Sequence, residues 1–245
     1  MRSAVSSGPV PGGSLTSMRN GLYPHHSSLF FGCDLLNGGN YWQEGLERGR
    51  IISVGARVIE TGGDKAVIED ECIWKRPDAE APVIDRRKIT ISSPSKDLYR
   101  IDFEIEMEML MDVTILKTNH SLLSVRVAND ISVEQGGHMV NSNGKTGEDG
   151  TFGDAAAWLD YYGERKSGAE GIAILQHPGN PGFPSKWFTR DYGFMSPTPY
   201  WWPEDDKATY YKKGDKVLLR YRILVHGGSS DEAGIATLFH QYTAE

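Results

Sequence analysis

The most regular pattern in the chain is IDFEIEMEM (101–109), in which Ile101, Phe103, Ile105, Met107 and Met109 alternate with Asp102, Glu104, Glu106 and Glu108. A period of two with one apolar face predicts a half-buried strand. Its acidic face is expected in water rather than around a metal, because carboxylates in register along a strand stay solvated. Further apolar runs predict strands at SLFFGCD (28–34), RIISVGARVIET (50–61), KAVIEDECIWKR (65–76), RKITISS (87–93), DVTILKT (112–118), SLLSVRVA (121–128), GIAILQ (171–176) and KVLLRYRILVH (216–226). Short strands parted by turn residues predict an all-β fold, an antiparallel β-sandwich with long loops. Helical spacing is confined to the tail SSDEAGIATLFHQYTAE. There Ser230 or Asp231 is the expected cap of a short C-terminal helix, with Ile235, Leu238 and Phe239 on one face. A chain of 245 residues with no internal repeat or linker fits one such domain over 1–245, with residues 1–10 expected to be flexible.

Charge narrows the partners. With 26 basic and 33 acidic residues the net charge is −7, which argues against a nucleic-acid surface and against an anionic membrane surface. No run approaches the length of a membrane span, and the start has no apolar signal core. The expected location is cytoplasmic as written, or periplasmic or secreted if a signal was removed. Cys33 and Cys72 have no zinc or redox spacing and read as small buried apolar residues. No GxSxG elbow and no phosphate-binding loop is present, so neither a serine nucleophile nor a nucleotide cofactor is expected.

Two stretches, 129–157 and 177–215, read as long loops rich in Gly, Pro and Asn. Such loops are usually functional. The second holds three of the six Trp (Trp187, Trp201, Trp202) and four of the eleven Tyr. Aromatics interleaved with Asn, Asp and Arg suit stacking on sugar rings; they equally suit a small core that pins the loop. Strand parity puts Thr118, His120, Ser124 and Arg126 on one face, and Arg220, Arg222 and His226 on one face of another strand. Each is either a binding surface, with Arg forks for oxyanions, or a face laced with ion pairs. His25, His26, His120 and His177 sit at strand ends beside turn residues, where acid, base and metal groups are placed. His25 and His26 are adjacent on an extended segment and point opposite ways, so one faces the core. One of them with His120 and His177 would make a three-imidazole divalent-metal site, although no HxH or HExxH spacing supports it. Glu134, just after a strand, and Glu148, within GKTGEDG, are candidate carboxylate partners.

The strings YPHHSSLFFGCDLLNGGNYWQEG, TNHSLLSVRVANDISVEQGGHMVNSNGKTGEDGTFG, WLDYYG, GIAILQHPGNPGFPSKWFTRDYGFMSPTP and LLRYRILVHGG together resemble the bacterial PmoA-like family of unknown function, from about residue 10 to the end. The family's label invokes methane oxygenase, but a membrane methane oxygenase needs spanning helices that this chain lacks. The resemblance implies a soluble bacterial β-sandwich, linked by fold analogy to galactose-mutarotase-like sandwiches, with a role in carbohydrate breakdown. The positions that match are His25, His26, His120, Arg126, Glu134, Asn141, Glu148, Asp160, His177, Trp187, Arg190 and Tyr192. The expectation is a carbohydrate-active enzyme with catalytic His26, His120, Glu134 and His177. His25, Arg126, Asn141, Glu148, Asp160, Trp187, Arg190 and Tyr192 would bind substrate, with no resident cofactor. In an elimination or epimerisation, a histidine or Tyr192 takes a proton and Arg126 or Arg190 steadies the charge. In a hydrolysis, Glu134 works with Asp160 or Glu148. The alternatives are a non-catalytic carbohydrate-binding module and a metal-dependent redox protein. Exposed strands and the C-terminal helix are compatible with a homo-oligomer.

Overall fold

A computed structural model describes residues 14–18, 23–43, 45, 48–201 and 207–245. Trp202 and the expected flexible start lie outside the described residues. The strands in chain order are β1 (Leu29–Cys33), β2 (Arg50–Ser53), β3 (Arg57–Gly62), β4 (Lys65–Lys75), β5 (Val83–Ser95), β6 (Leu98–Met109), β7 (Val113–Ile115), β8 (Ser121–Arg126), β9 (His138–Asn141), β10 (Trp158–Arg165), β11 (Gly168–Gln176), β12 (Lys186–Arg190), β13 (Phe194–Thr198), β14 (Thr209–Tyr211) and β15 (Lys216–Gly227). The described residues also form two α-helices, α1 (Gly147–Thr151) and α2 (Ile235–Ala244).

The strands pair antiparallel into a four-stranded sheet, β1-β8-β13-β12, and a nine-stranded sheet, β2-β4-β5-β6-β15-β11-β10-β9 with β3 beside β4. A short ribbon of β7 and β14 stands apart from both. The two larger sheets pack face to face. Leu29, Leu123, Val125, Trp187 and Met195 from the small sheet meet Phe103, Ile105, Ile172, Ile174, Leu219 and Ile223 from the large one in a single core. The fold is therefore an antiparallel β-sandwich, as the alternation in β6 and β8 predicts.

Both stretches expected as loops contain strands. Residues 129–157 hold β9 and α1, and 177–215 hold β12, β13 and β14. Pro, Gly and Asn mask these strands because each is only three to five residues long and bounded by tight turns. The run RIISVGARVIET divides into β2 and β3 around Gly55, whose φ is 154°. Neither Ser230 nor Asp231 caps α2. The chain makes an extra turn there, closed by Ile235 N–H donating to Ser230 O at 3.1 Å, and Gly234 at φ 67° opens the helix. Ile235 and Tyr242 then cover Ala173, Leu175 and Leu224 on the outer face of the large sheet.

Much of the rest of that outer face carries paired charges. Glu104, Glu106 and Glu108 of β6 face Lys88, Lys216 and Arg86, all part-exposed. Arg222 grips Asp102 through Nε and Nη2 at 2.6 and 3.0 Å and also bonds Glu245. The Arg220, Arg222 and His226 face is thus a structural layer on the large sheet, and it does not adjoin the His120 and Arg126 face of the small one. Deeper, Asp85 accepts from Trp74 Nε1 at 2.7 Å and from Arg87 Nε at 2.5 Å, and Asp85 has no exposed surface.

Asp85→Ala leaves a buried guanidinium and an indole N–H without an acceptor. We expect a loss of about 3–5 kcal/mol in unfolding free energy by denaturant titration. Glu108→Ala, which releases only an exposed arginine, is expected to shift the midpoint within error. Equal effects of the two would show that the Asp85 cluster does not hold β4 and β5 in register.

Candidate functional site

Strand β8 lies inside the small sheet, and all of its residues are buried. Leu123 and Val125 enter the core; Ser124 and Arg126 emerge on the opposite face. Register carries that face across the sheet. Phe30 stands opposite Ser124, Phe194 opposite both Arg126 and Arg190, and Ser196 opposite Phe188. The two serines join at 3.0 Å. Phe188 and Phe194 form a small aromatic cluster with Trp42, against which Phe30 and Tyr192 pack. These rings make a floor of buried side chains. Its edge is part-open at His120, Arg190, Phe152 and Tyr23, the last two 37% and 43% exposed.

His120 is seated edge-on between Trp42 and Phe188, with ring centroids at 5.4 and 5.1 Å. Its Nδ1 lies 3.5 Å from Asp34 Oδ2. Thr118 fixes both partners: its hydroxyl donates to Asp34 Oδ1 and its oxygen accepts the His120 N–H. Burial pulls the His120 pKa below its ordinary 6.5, and Arg190 adds to this, while Asp34 opposes it. The ring is neutral near pH 7, with Nε2 the nitrogen that Asp34 does not engage.

His26 is only 2% exposed and lies on Phe194, with centroids 4.3 Å apart and planes 22° off parallel. Burial, His25 and Arg126 hold its pKa down to about 3, so it stays a neutral imidazole. Tyr192 Oη stands 3.4 Å from His26 Nδ1. Burial pushes the Tyr192 pKa up to about 12 against the pull of Arg126, so the phenol keeps its proton. Tyr192 is therefore a donor at neutral pH. Arg126 lies over the Tyr192 ring at 4.3 Å. Arg190 sits between Phe152 and Phe188 at 4.5 and 4.6 Å and pairs with Glu148 Oε1 at 3.1 Å. Glu148 is held in turn: its other oxygen accepts the Asp191 N–H at 3.1 Å, and its own N–H donates to Asp191 Oδ1 at 2.8 Å.

The outer face of the small sheet thus brings together His25, His26, His120, Arg126, Glu148, Arg190 and Tyr192, with His25 against His26 at 4.4 Å. Five other candidates are placed elsewhere. His177 follows the last residue of β11 in the large sheet, edge-on to Tyr242 at 5.5 Å, where its Nδ1 accepts the Gly179 N–H at 2.9 Å. It braces a turn and cannot join His26 and His120. Among the described residues, no group of three His, Cys, Asp or Glu side chains is arranged to hold a metal ion. Asp160 has no exposed surface and bonds His226 Nε2 at 3.0 Å, also in the large sheet. Asn141 organises its own loop by donating to Asp154 Oδ2 at 2.8 Å and accepting the N–H groups of Asn143 and Lys145. Trp187 is fully buried on the core side of β12 and donates to Ala156 O at 2.8 Å, so its ring offers no stacking face. Glu134 is exposed at the rim, where its N–H donates to Asp191 O at 3.2 Å.

Sequence reasoning missed Asp34, Phe30, Trp42, Phe188 and Phe194. A signal existed for the last two. With KWFTR and FMSPT read as a hairpin around DYG, Phe188, Arg190 and Phe194 fall on one face by parity. Asp34 ends the run SLFFGCD, a strand-end position like those of the histidines. For Trp42, inside an irregular segment, no local pattern points to the site.

The chain belongs to a family of unknown function, DUF6807, whose model matches residues 10–240. No curated protein matches the chain.

The depressed His26 value makes acid stability testable. Unfolded, the ring takes a proton near pH 6.5; folded, only near pH 3. Its contribution is therefore complete above pH 6.5 and lost as pH falls from 6.5 towards 3, at up to roughly 1.4 kcal/mol per pH unit. His26→Phe keeps a ring on Phe194 and removes this proton. Its melting temperature is expected to fall less steeply than wild type between pH 6.5 and 4. Parallel curves would mean that His26 does not titrate this way.

Proposed function

We propose that this chain is an enzyme that acts on a carbohydrate by acid/base chemistry on the outer face of the four-stranded sheet. The observation that carries the reading is His120, a neutral imidazole oriented by Asp34 and set among aromatic rings at a part-open edge. A carboxylate on one ring nitrogen fixes the tautomer and leaves the other nitrogen to accept a proton. Tyr192 supplies the complementary acid, since it is protonated at neutral pH and lies beside the neutral His26. Part-exposed rings such as Tyr23 and Phe152 suit the C–H faces of a sugar, and the arginines suit its oxygens.

Among the reactions on a sugar, this arrangement favours proton abstraction, leading to elimination or epimerisation. His120 would take a proton from carbon beside a carbonyl or carboxylate. In elimination, the C–O bond to the leaving group then breaks, and Tyr192 returns a proton to that oxygen. Hydrolysis by a carboxylate pair has less support. Asp160 is sealed in the other sheet, Glu148 is committed to Arg190 and the Asp191 N–H, and Glu134 is on the rim.

The test is turnover of uronate-containing and neutral glycans, read as new unsaturated or reducing ends, by wild type, His120→Gln and Asp34→Asn. Wild type is expected to act on at least one. His120→Gln should lose about 100-fold or more in kcat, and Asp34→Asn less. The wild-type kcat/KM should rise with pH through a value below 6.5, as the base loses its proton. Binding without turnover in wild type would make the chain a carbohydrate-binding module. Wild-type turnover in His120→Gln would remove His120 from the chemistry.

A further inference from the structure

We propose that Arg126 is the anchor for a ligand carboxylate, so that the sugar bound on this face is a uronate or another sugar acid. The inference rests on the carbohydrate reading above and adds the charge of the substrate to it.

Among the described residues, buried guanidinium groups have carboxylate partners, with one exception. Arg87 is bonded to Asp85, Arg165 to Glu170 and Arg222 to Asp102. Arg126 is as deeply placed, at 3% exposure, yet its guanidinium makes no hydrogen bond or ion pair among the described residues, and its Nε is buried without a partner. Glu134 acts on it only through space and is exposed. An unpaired buried cation is costly, and the cost falls when an anion completes it. Burial accordingly depresses the Arg126 pKa. The group is also aimed. Its Cα lies opposite Phe194 in the sheet, and its guanidinium is held over the Tyr192 ring, on the face that carries His26 and Tyr192. Two further buried nitrogens in this cluster lack partners: Trp42 Nε1, which can only donate, and His26 Nε2.

The partner count selects the anion. Arg190 is already paired with Glu148, so among the described residues Arg126 is the guanidinium of this face left without a carboxylate partner. A planar carboxylate of charge −1 meets one guanidinium fork through two parallel bonds. A phosphate monoester, near −2, would need a second free cation, and the chain's net charge of −7 repels it.

The experiment is calorimetric titration of the full chain with D-galacturonate, D-glucuronate, the matching neutral sugars, acetate and inorganic phosphate, alongside thermal melts. A uronate is expected to bind at least about 10-fold more tightly than its neutral counterpart. Arg126→Met should lose roughly 10- to 100-fold of uronate affinity, a larger loss than for the matching neutral sugar, and melt at or above the wild-type temperature without ligand. The melt separates an anchor from a structural arginine, whose removal would lower it. If the Met variant does not fold, Arg126→Lys decides, because it keeps the charge but loses the fork; it too should bind uronate at least about 10-fold less tightly. Equal affinity for charged and neutral sugars, or unchanged uronate binding in the Arg126 variants, overturns the anchor. In either case the acid/base reading stands if His120→Gln still loses turnover. Phosphate binding in place of uronate overturns the carboxylate assignment. If no sugar is bound or turned over while acetate binds wild type and not Arg126→Met, the anchor stands and the carbohydrate reading falls.

Discussion

A central strand buried on both faces has no water for its polar half, and β8 is such a strand. Its inward residues join the core between the sheets, while its outward residues sit beneath rings from β1, β12, β13 and the segment before β1. Burial on the second side follows from sequence as much as from packing. Phe30, Phe188 and Phe194 each fall on the outer parity of their strands, so register stacks three rings beside Ser124 and Arg126. A sheet of four short strands has little area, and without this second layer it would be thin. The layer stabilises the sheet and at the same time desolvates every polar group caught in it. Ser124 finds Ser196. Arg126 finds a ring face and, among the described residues, no acceptor for its Nε. That difference separates a polar group satisfied within the sheet from one left unsatisfied by it.

The large sheet meets the same requirement with a different solution. Glutamates on its outer side are matched by basic residues of neighbouring strands, and α2 covers Ala173, Leu175 and Leu224. Where a charge goes deep, as with Asp85 or Arg222, three or four hydrogen bonds accompany it. The Asp160–His226 pair follows that rule less fully. The two are bonded at 3.0 Å, while Asp160 Oδ2 and His226 Nδ1 have no partner. Gly171 makes room for the imidazole: a Cβ there would come within 2.5 Å of the ring. The pair is enclosed by β10, β11 and β15 and reads as an internal brace. Two histidine–carboxylate pairs in one chain therefore differ by exposure: His226 is 1% exposed, His120 36%.

Legibility followed the length and regularity of each pattern. β6 and β15, each twelve residues with clean alternation, could be read directly, and with them the sandwich. The five-residue strands β12 and β13 could not, because Pro197 and the DYG turn carry loop composition. Missing that hairpin hid half of the outer face and made Trp187 look like a loop aromatic, although parity sends it into the core. His177 and His120 look alike in sequence, each a histidine at a strand boundary beside Pro or Asn. Which sheet a strand joins depends on long-range pairing, and no local pattern encodes that. Asp34 and His120 are 86 positions apart in number and meet because β1 and β8 run antiparallel from Cys33 and Ser121.

The same register that unites them also limits how they move. His120 is one residue before β8, Arg126 ends it, and Phe194 and Arg190 are tied to it through β13. Side chains on paired strands keep their spacing, so a group that must meet a ligand is better placed here than on a free loop. Leu122, between His120 and Ser124, takes φ 71°, a conformation that costs energy for a branched apolar residue, and its side chain is buried in the core. The kink lies two residues from His120, whose pKa burial depresses, while the guanidinium without a partner sits at the other end of the strand. One short strand thus carries both groups to the same outer face at a spacing of six residues.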